Sequence, residues 1–325
     1  MKVLICNRPG GAFGYISDGW ANALRDKGHQ VARWDGHDSS WVDFNPDLYI
    51  GCSGHKQPIL KNRGNCRVAI HVNPFGPTDI PGINESAENI QWTCEQKPDA
   101  VFGYGHENDR LLWSYWESHH GIKWVPMACA ADRTIFKSVT PHDEKDLDIV
   151  YLGGRWRYKA QTIDKYLLPA LRKAKEEEQI SYCVRGWGEW PGYINQGILP
   201  EDQANEFLNR GRVAPCISEQ HSHQYGIDIP ERMFKAPLCG ALIIHDPVPT
   251  VRDFVKSAII AVNADNFYDL IRHYCLNESE RLEVVEKQRQ EILDEHTYHH
   301  RISSLFSAVG FNNEAMEMVA DGDNI

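Results

Sequence analysis

Three cations arrive within five positions where the segment DIVYLGGRWRYK (148–159) leaves an apolar run: Arg155, Arg157 and Lys159. Gly153 and Gly154 stand just ahead of them and a helical stretch follows. That order predicts backbone N–H groups exposed at the positive end of a helix dipole. Fixed dipoles combined with guanidinium and ammonium groups make an anion site, and the phosphates of a nucleotide are the natural guest. The competing reading of the same spacing is a solvated basic helix start.

A second concentration of charge lies in QYGIDIPERMFKAPLCGALIIHD (224–246). Gly226 ends a loop, Pro230 opens a helix and Gly240 closes it before a buried strand. Asp228, Glu231, Arg232 and Lys235 gather at that helix start, a strand–helix junction of the kind where open α/β sheets bind ligands. The N-terminal loop RPGGAFGYISDGW offers Gly10, Gly11 and Gly14 for close passage of a backbone, but it does not match the dinucleotide GxGxxG pattern. Ser17 or Asp18 is placed to cap the helix that follows. His71, at the end of an apolar strand, reads as a core histidine or as a base. The HSH run at 221–223 and YHH at 298–300 invite a metal reading. Without a carboxylate or cysteine at ligand spacing none is expected, and His221 and His223 are assigned instead to sugar or phosphate contact.

The elements that must carry these residues alternate. Strand, Gly-rich loop, helix and strand fill the first 34 residues, a βαβ unit that implies a parallel sheet. Apolar runs at 47–53, 66–72, 99–105 and 123–136 continue the pattern. The polar segment KSVTPHDEKDL (137–147) has linker composition. Alternation then restarts with strands at 148–152, 180–186, 213–218, 241–246 and 258–262, and helices at 161–176, 201–209 and 230–239. Acidic helical segments close the chain.

The 325 residues, 42% hydrophobic and 24% charged, suit a soluble two-domain protein. No run approaches a membrane span, and the N-terminus turns polar too early for a secretory signal, so a cytoplasmic location is expected. Nine scattered cysteines without a CxxC pair suggest neither zinc nor a disulfide framework. A net charge of −11 argues against a passive nucleic-acid or anionic-membrane partner, though not against a local basic cleft.

The ordered motifs GIDIPERMFKAPLCGALIIHD and EHTYHHR resemble the C-terminal part of GT-B glycosyltransferases of the CgeB-like, group-1 type. The matching residues are Gly226, Ile227, Arg232, Phe234, Cys239, Gly240 and Asp246, then Glu295, His296, Thr297, Tyr298 and Arg301. VPMACAADRTIF resembles the family's interdomain connector, through Pro126, Ala128, Asp132 and Phe136. YLGGRWRYK resembles its donor-phosphate loop and is also similar to an element of the phage DNA β-glucosyltransferase. The resemblance spans roughly 123–305 and implies two Rossmann-like domains facing across a cleft: an acceptor domain at 1–136, a linker at 137–147, a donor domain at 148–305 and a tail at 306–325.

It further implies transfer of a sugar from a nucleotide diphospho-sugar, expected to be a UDP-sugar, without a metal or other cofactor. Gly153, Gly154, Arg155, Arg157, Lys159 and Arg232 would hold the diphosphate, and Arg185, Gly186 and Trp187 would meet the nucleobase. Asp18 and His71 are the candidate bases should the reaction invert. The family's ribose-binding Glu is Lys235 here; an ammonium only donates, so Glu231 or Asp228 would have to take the hydroxyls, and Lys235 could instead meet the diphosphate. The family's acid after the fourth strand is Asn73. The acceptor is a glycan, a small molecule or modified DNA. One alternative is a phage-type enzyme acting on hydroxymethylated DNA, suggested by the basic stretch KQPILKNRGNCR (56–67) and the aromatics at 113–116. The other is a nucleotide-binding protein without catalysis, suggested by Lys235.

Overall fold

In the computed structural model the described residues are 1–6, 11–37, 40–57, 63–73, 84–105, 115–177, 180–192, 194–248 and 250–320. The chain forms two compact units, Met1–Thr134 with Tyr298–Ile325, and Ile135–Thr297.

Short apolar runs bounded by turn residues form the strands of both units, and both sheets are wholly parallel. In the first unit they are β1 (Lys2–Cys6), β2 (Gln30–Trp34), β3 (Leu48–Cys52), β4 (Arg67–His71), β5 (Ala100–Gly103) and β6 (Trp124–Pro126), in the order β2-β1-β3-β4-β5-β6. In the second they are β7 (Leu147–Leu152), β8 (Tyr182–Arg185), β9 (Gly211–Cys216), β10 (Leu242–His245) and β11 (Ile259–Ile260), ordered β11-β10-β9-β7-β8. The two windings match: the second strand flanks the first on one side and the third flanks it on the other. Each sheet therefore reverses direction once, between β1 and β3 and between β7 and β9. At such a reversal the loops leaving neighbouring strands diverge and open a crevice at the strands' carboxyl ends.

Three expectations change. The first helix runs Gly11–Asp26, so Ser17 and Asp18 lie inside it rather than at its cap; Ile16, Trp20 and Leu24 are buried along one face and carry the helix back through the glycine-containing turn. The expected linker lies within the second unit. Its Lys145 is buried and donates to the Asn209 and Cys239 carbonyls at 2.6 and 3.1 Å, while Asn209 Oδ1 accepts from the Val139 N–H at 2.8 Å. The chain returns to the first unit at Tyr298, ahead of the expected boundary at 305. There the Tyr298 N–H donates to the Ala131 carbonyl at 3.0 Å, and the Arg301 guanidinium takes the Ala128 and Cys129 carbonyls, each at 3.0 Å. The EHTYHHR motif is thus where the chain crosses back, and Tyr298 and Arg301 lock onto the connector motif.

In the second unit, a helix beginning at Arg157 passes through a π-helical turn at Ile163–Leu167 and continues as Leu168–Glu176. Ile163, Tyr166, Leu167, Leu171 and Ala174 anchor its buried face against β7, β9 and β10. Among the described residues no helix is long and apolar enough to cross a membrane.

Candidate functional site

The crevice between β7 and β9 is built first by glycines. Past the strand ends, the Gly153 N–H donates to the Arg185 carbonyl and the Arg155 N–H to the Trp187 carbonyl, both at 2.9 Å, and Arg155 bridges to Gly188. The two loops after β7 and β8 thus zip together. A Cβ on Gly186 would overlap the Gly153 carbonyl, and one on Gly188, at φ +94°, the Arg155 carbonyl. This corrects the expectation for the Gly-Gly turn: the N–H groups of Gly153 and Arg155 serve the sheet and are not offered to an anion. Gly154 packs against the Trp187 indole, which remains 49% exposed.

The basic side chains divide into two sets. Arg155 holds Asp164 with two donors at 3.0 and 2.8 Å and gives a third to the Glu189 carbonyl at 2.6 Å. Arg185 donates to the Gln196 and Ile198 carbonyls, both at 3.1 Å. Both hold the loops in shape, which differs from the phosphate and base contacts expected of them. Arg157 is exposed and lies over the Tyr158 ring, 5.6 Å from its centroid. Lys159 is buried, and its ammonium makes no hydrogen bond or ion pair among the described residues. Arg232 is 5% exposed. It reaches back to β7, where Nε donates to the Leu152 carbonyl at 2.8 Å and Nη2 to the same oxygen. Its guanidinium covers the Tyr151 ring at 4.2 Å, and its buried Nη1 has no partner. Gly153 is required here, since a Cβ would overlap Nη2.

Arg232 opens the helix Arg232–Leu238. One turn on, buried Lys235 pairs with buried Glu231 at 3.1 Å and lies over Phe136. Neither side chain is presented as the expected hydroxyl or diphosphate contact. Gly226, at φ +71°, terminates the helix Gln220–Tyr225, which the sequence reading took for a loop, and Ile227 is fully buried. Asp228 takes a left-handed conformation at φ +57° and meets His221 Nε2 at 2.8 Å.

The carboxylate that the sequence spacing did not supply is present. Glu219, His221 and Asp228 place ligand atoms within 4.8 Å of one another. Burial pushes the Glu219 carboxyl up, and the Asp228 charge adds to it. Burial opposes the charged form of His221, but the Asp228 hydrogen bond and charge outweigh it and raise the imidazole. Glu219 was missed because it is isolated in sequence; the E-x-H spacing was its one signal.

Asp246, at the carboxyl end of β10, fixes the loop that carries this cluster. Fully buried, it accepts from the Ser218 N–H at 2.9 Å and meets His223 Nε2 at 2.8 Å. Burial opposes its charge, yet His223 and His245 hold it far below the usual carboxylate range. His223 therefore orders the loop.

In the first unit, Asp18 is 56% exposed and ion-paired to Arg33, which also holds Ser17. His71 is buried among Trp20, Phe102 and Tyr104, with Nδ1 3.9 Å from Cys52 Sγ. Beside Asn73 the structure supplies an acid from elsewhere. Glu85, fully buried, accepts from Ser53 Oγ at 2.7 Å, the Asn73 N–H at 2.8 Å and Asn89 Nδ2 at 2.6 Å. Part of the 56–67 basic stretch and residues 113 and 114 lie outside the described residues. Lys56 pairs with Glu88 at 2.5 Å and Arg67 with Asp99 at 2.9 Å. Tyr115 stacks on His119, and Trp116 is fully buried, so it is no open aromatic for a nucleic acid.

Residues 151–307 match the sequence profile of a family described as glycosyl transferase-like. A search of curated proteins by sequence finds no match. Among solved structures, T4 phage β-glucosyltransferase in complex with UDP-glucose is 12% identical, with 98% of this chain and 99% of that one covered at a TM-score of 0.58. An α,α-trehalose-phosphate synthase (UDP-forming) from Burkholderia xenovorans is 9% identical, with coverages of 95% and 100% and a TM-score of 0.60. TarM of S. aureus is 13% identical over 81% of this chain, at a TM-score of 0.58; the chain spans 55% of that longer protein. At such identities these likenesses speak for the fold, which is one paired set of parallel α/β units.

Proposed function

We propose, for a chain that is a glycosyltransferase of the GT-B fold, that it moves a sugar from a UDP-sugar to an acceptor hydroxyl, with the donor diphosphate held at the carboxyl edge of β7 and β9. One observation carries this reading: that edge holds a buried guanidinium nitrogen, Arg232 Nη1, with no hydrogen-bond partner, together with the buried residue Lys159, whose ammonium makes no hydrogen bond or ion pair among the described residues. A buried donor left unsatisfied costs about 1–3 kcal/mol, and a charged one more, so such groups stand ready for an anion. The UDP-forming, UDP and UDP-glucose descriptions of the structural neighbours fit a uridine diphosphate as that anion.

As the bond between the sugar's anomeric carbon and the diphosphate oxygen breaks, negative charge grows on that oxygen. The Arg232 guanidinium, fixed beforehand by Leu152 and Tyr151, meets it without reorganising, with Arg157 supplying a further charge from the exposed side. The exposed face of Trp187 suits the base. For the acceptor's proton, Asp18 is an exposed carboxylate of the first unit and keeps Arg33 as its counter-charge; His71 is confined by its aromatic neighbours. A hydroxylated small molecule or glycan is the acceptor. The described cations of the 56–67 stretch that pair with Glu88 and Asp99 are not arranged for a phosphate backbone, which needs several open ones.

The test is turnover of a panel of sugar nucleotides, read as nucleoside diphosphate release. UDP-sugars are expected to react, and Asp18→Asn to lower kcat while leaving UDP affinity unchanged. Stabilisation by ATP or NAD alone, with no sugar nucleotide turned over, contradicts the reading.

A further inference from the structure

We infer that Trp190 is a positioning residue that couples the two ends of the donor nucleotide: one side chain sets both the aromatic surface for the base and the guanidinium for the diphosphate. The inference deepens the donor reading above and rests on it.

Trp190 is partly buried, and its indole N–H donates to the Trp187 carbonyl at 3.1 Å. The same carbonyl accepts the Arg155 N–H at 2.9 Å. Trp187, whose indole lies against Gly154, is thus pinned at its backbone from both zipped loops. The Trp190 ring also meets Tyr151 edge to face, with centroids 5.7 Å apart and planes at 69°. Tyr151 in turn carries the Arg232 guanidinium, 4.2 Å from its ring centroid.

Tyr151 is fully buried, and its hydroxyl has no hydrogen-bond partner among the described residues. Packing rather than a polar anchor therefore orients the ring, and Trp190 is part of that packing. Trp187, Trp190, Tyr151 and Arg232 form a contiguous series in which each link is a hydrogen bond or a ring contact, a physical path between two subsites. A guanidinium on a desolvated aromatic face keeps its direction, because leaving the ring forfeits the cation–π attraction. Loosening the Trp190 ring should reach both subsites. Removing its N–H alone should reach the base subsite only.

Calorimetry of UDP and of inorganic pyrophosphate tests this in the parent chain and in Trp190→Phe, Trp190→Leu and Tyr151→Phe, with thermal melts to report the fold. The parent should bind UDP more tightly than pyrophosphate, the difference being the share of the base. Trp190→Phe keeps a ring against Tyr151 and loses the bond to Trp187, so UDP should weaken about fivefold while pyrophosphate binds as in the parent. Trp190→Leu should weaken both ligands by at least about fivefold. Tyr151→Phe should bind both like the parent; a loss there would place the effect in the hydroxyl and overturn the role of the ring. Where Trp190→Leu does not fold, Tyr151→Leu takes its place, with weaker pyrophosphate binding expected. Parent-like UDP affinity in both Trp190 variants overturns the coupling, as do equal losses of UDP and pyrophosphate in Trp190→Phe, the mark of a merely structural residue. A parent chain that binds neither ligand removes the donor reading, and the coupling with it.

Discussion

A guanidinium with two donors on one carbonyl and a third, buried and unpartnered, is a charge that its own fold leaves incomplete. Arg232→Ala should therefore weaken UDP binding by about 10- to 100-fold, the loss of one charge-assisted contact. Arg155→Ala should lower the melting temperature more than it lowers affinity, since Arg155 holds Asp164 and Glu189 together. A different residue gives the first unit a pH dependence. Burial, reinforced by Arg133, lowers His299 from its ordinary 6.5 to about 4. Because the folded value is depressed, protons bind the unfolded chain more readily. Stability is full above pH 6.5, falls as pH drops from there to about 4, and loses up to about 3 kcal/mol over that window. Denaturant melts across pH 4–7 should show this slope, and His299→Gln should flatten it.

The zipped loops after β7 and β8 are the element on which the site depends. They bring Gly153 under Arg232 and Gly154 under Trp187, so that charge and aromatic surface are placed by backbone hydrogen bonds rather than by side-chain packing. Gly186→Ala forces its Cβ onto the Gly153 carbonyl, an overpacking of about 1–3 kcal/mol. The expected outcome is a lower melting temperature and weaker UDP binding in the same variant; an unchanged value of both would mean that the loops are not coupled. The strands themselves were legible in the sequence because each is a short apolar run ended by turn residues. The first helix was misread at its start because Ser17 and Asp18 are good caps locally. The buried face of Ile16, Trp20 and Leu24 overrode that preference.

At the scale of the whole molecule, the two sheets share a strand order, and the donor site we propose lies where the second one reverses, between β7 and β9. Sequence spacing found the 153–159 and 226–235 segments because both leave strands that border the second reversal. It could not show which cations were already satisfied: Lys235 pairs with Glu231 one helical turn away, while Arg155 and Arg185 find partners through turns that only tertiary contact brings close. The same is true of Glu219, Asp228 and Glu85. The C-terminal return was hidden because EHTYHHR reads as continuous with the donor unit, while its Tyr298 and Arg301 bond to residues 128–131. Removal of 298–325 should leave residues 135–297 protease-resistant and make the first unit sensitive; equal resistance of both would show the return to be dispensable.

The central claim is that a donor diphosphate is held by Lys159 and Arg232 at the β7/β9 edge, and its most direct measurement is the affinity for UDP by calorimetry in the parent chain, Lys159→Ala and Arg232→Ala. The account predicts UDP binding in the parent and a loss of at least about tenfold in each variant, with the fold retained. Parent-like UDP affinity in both variants would contradict it.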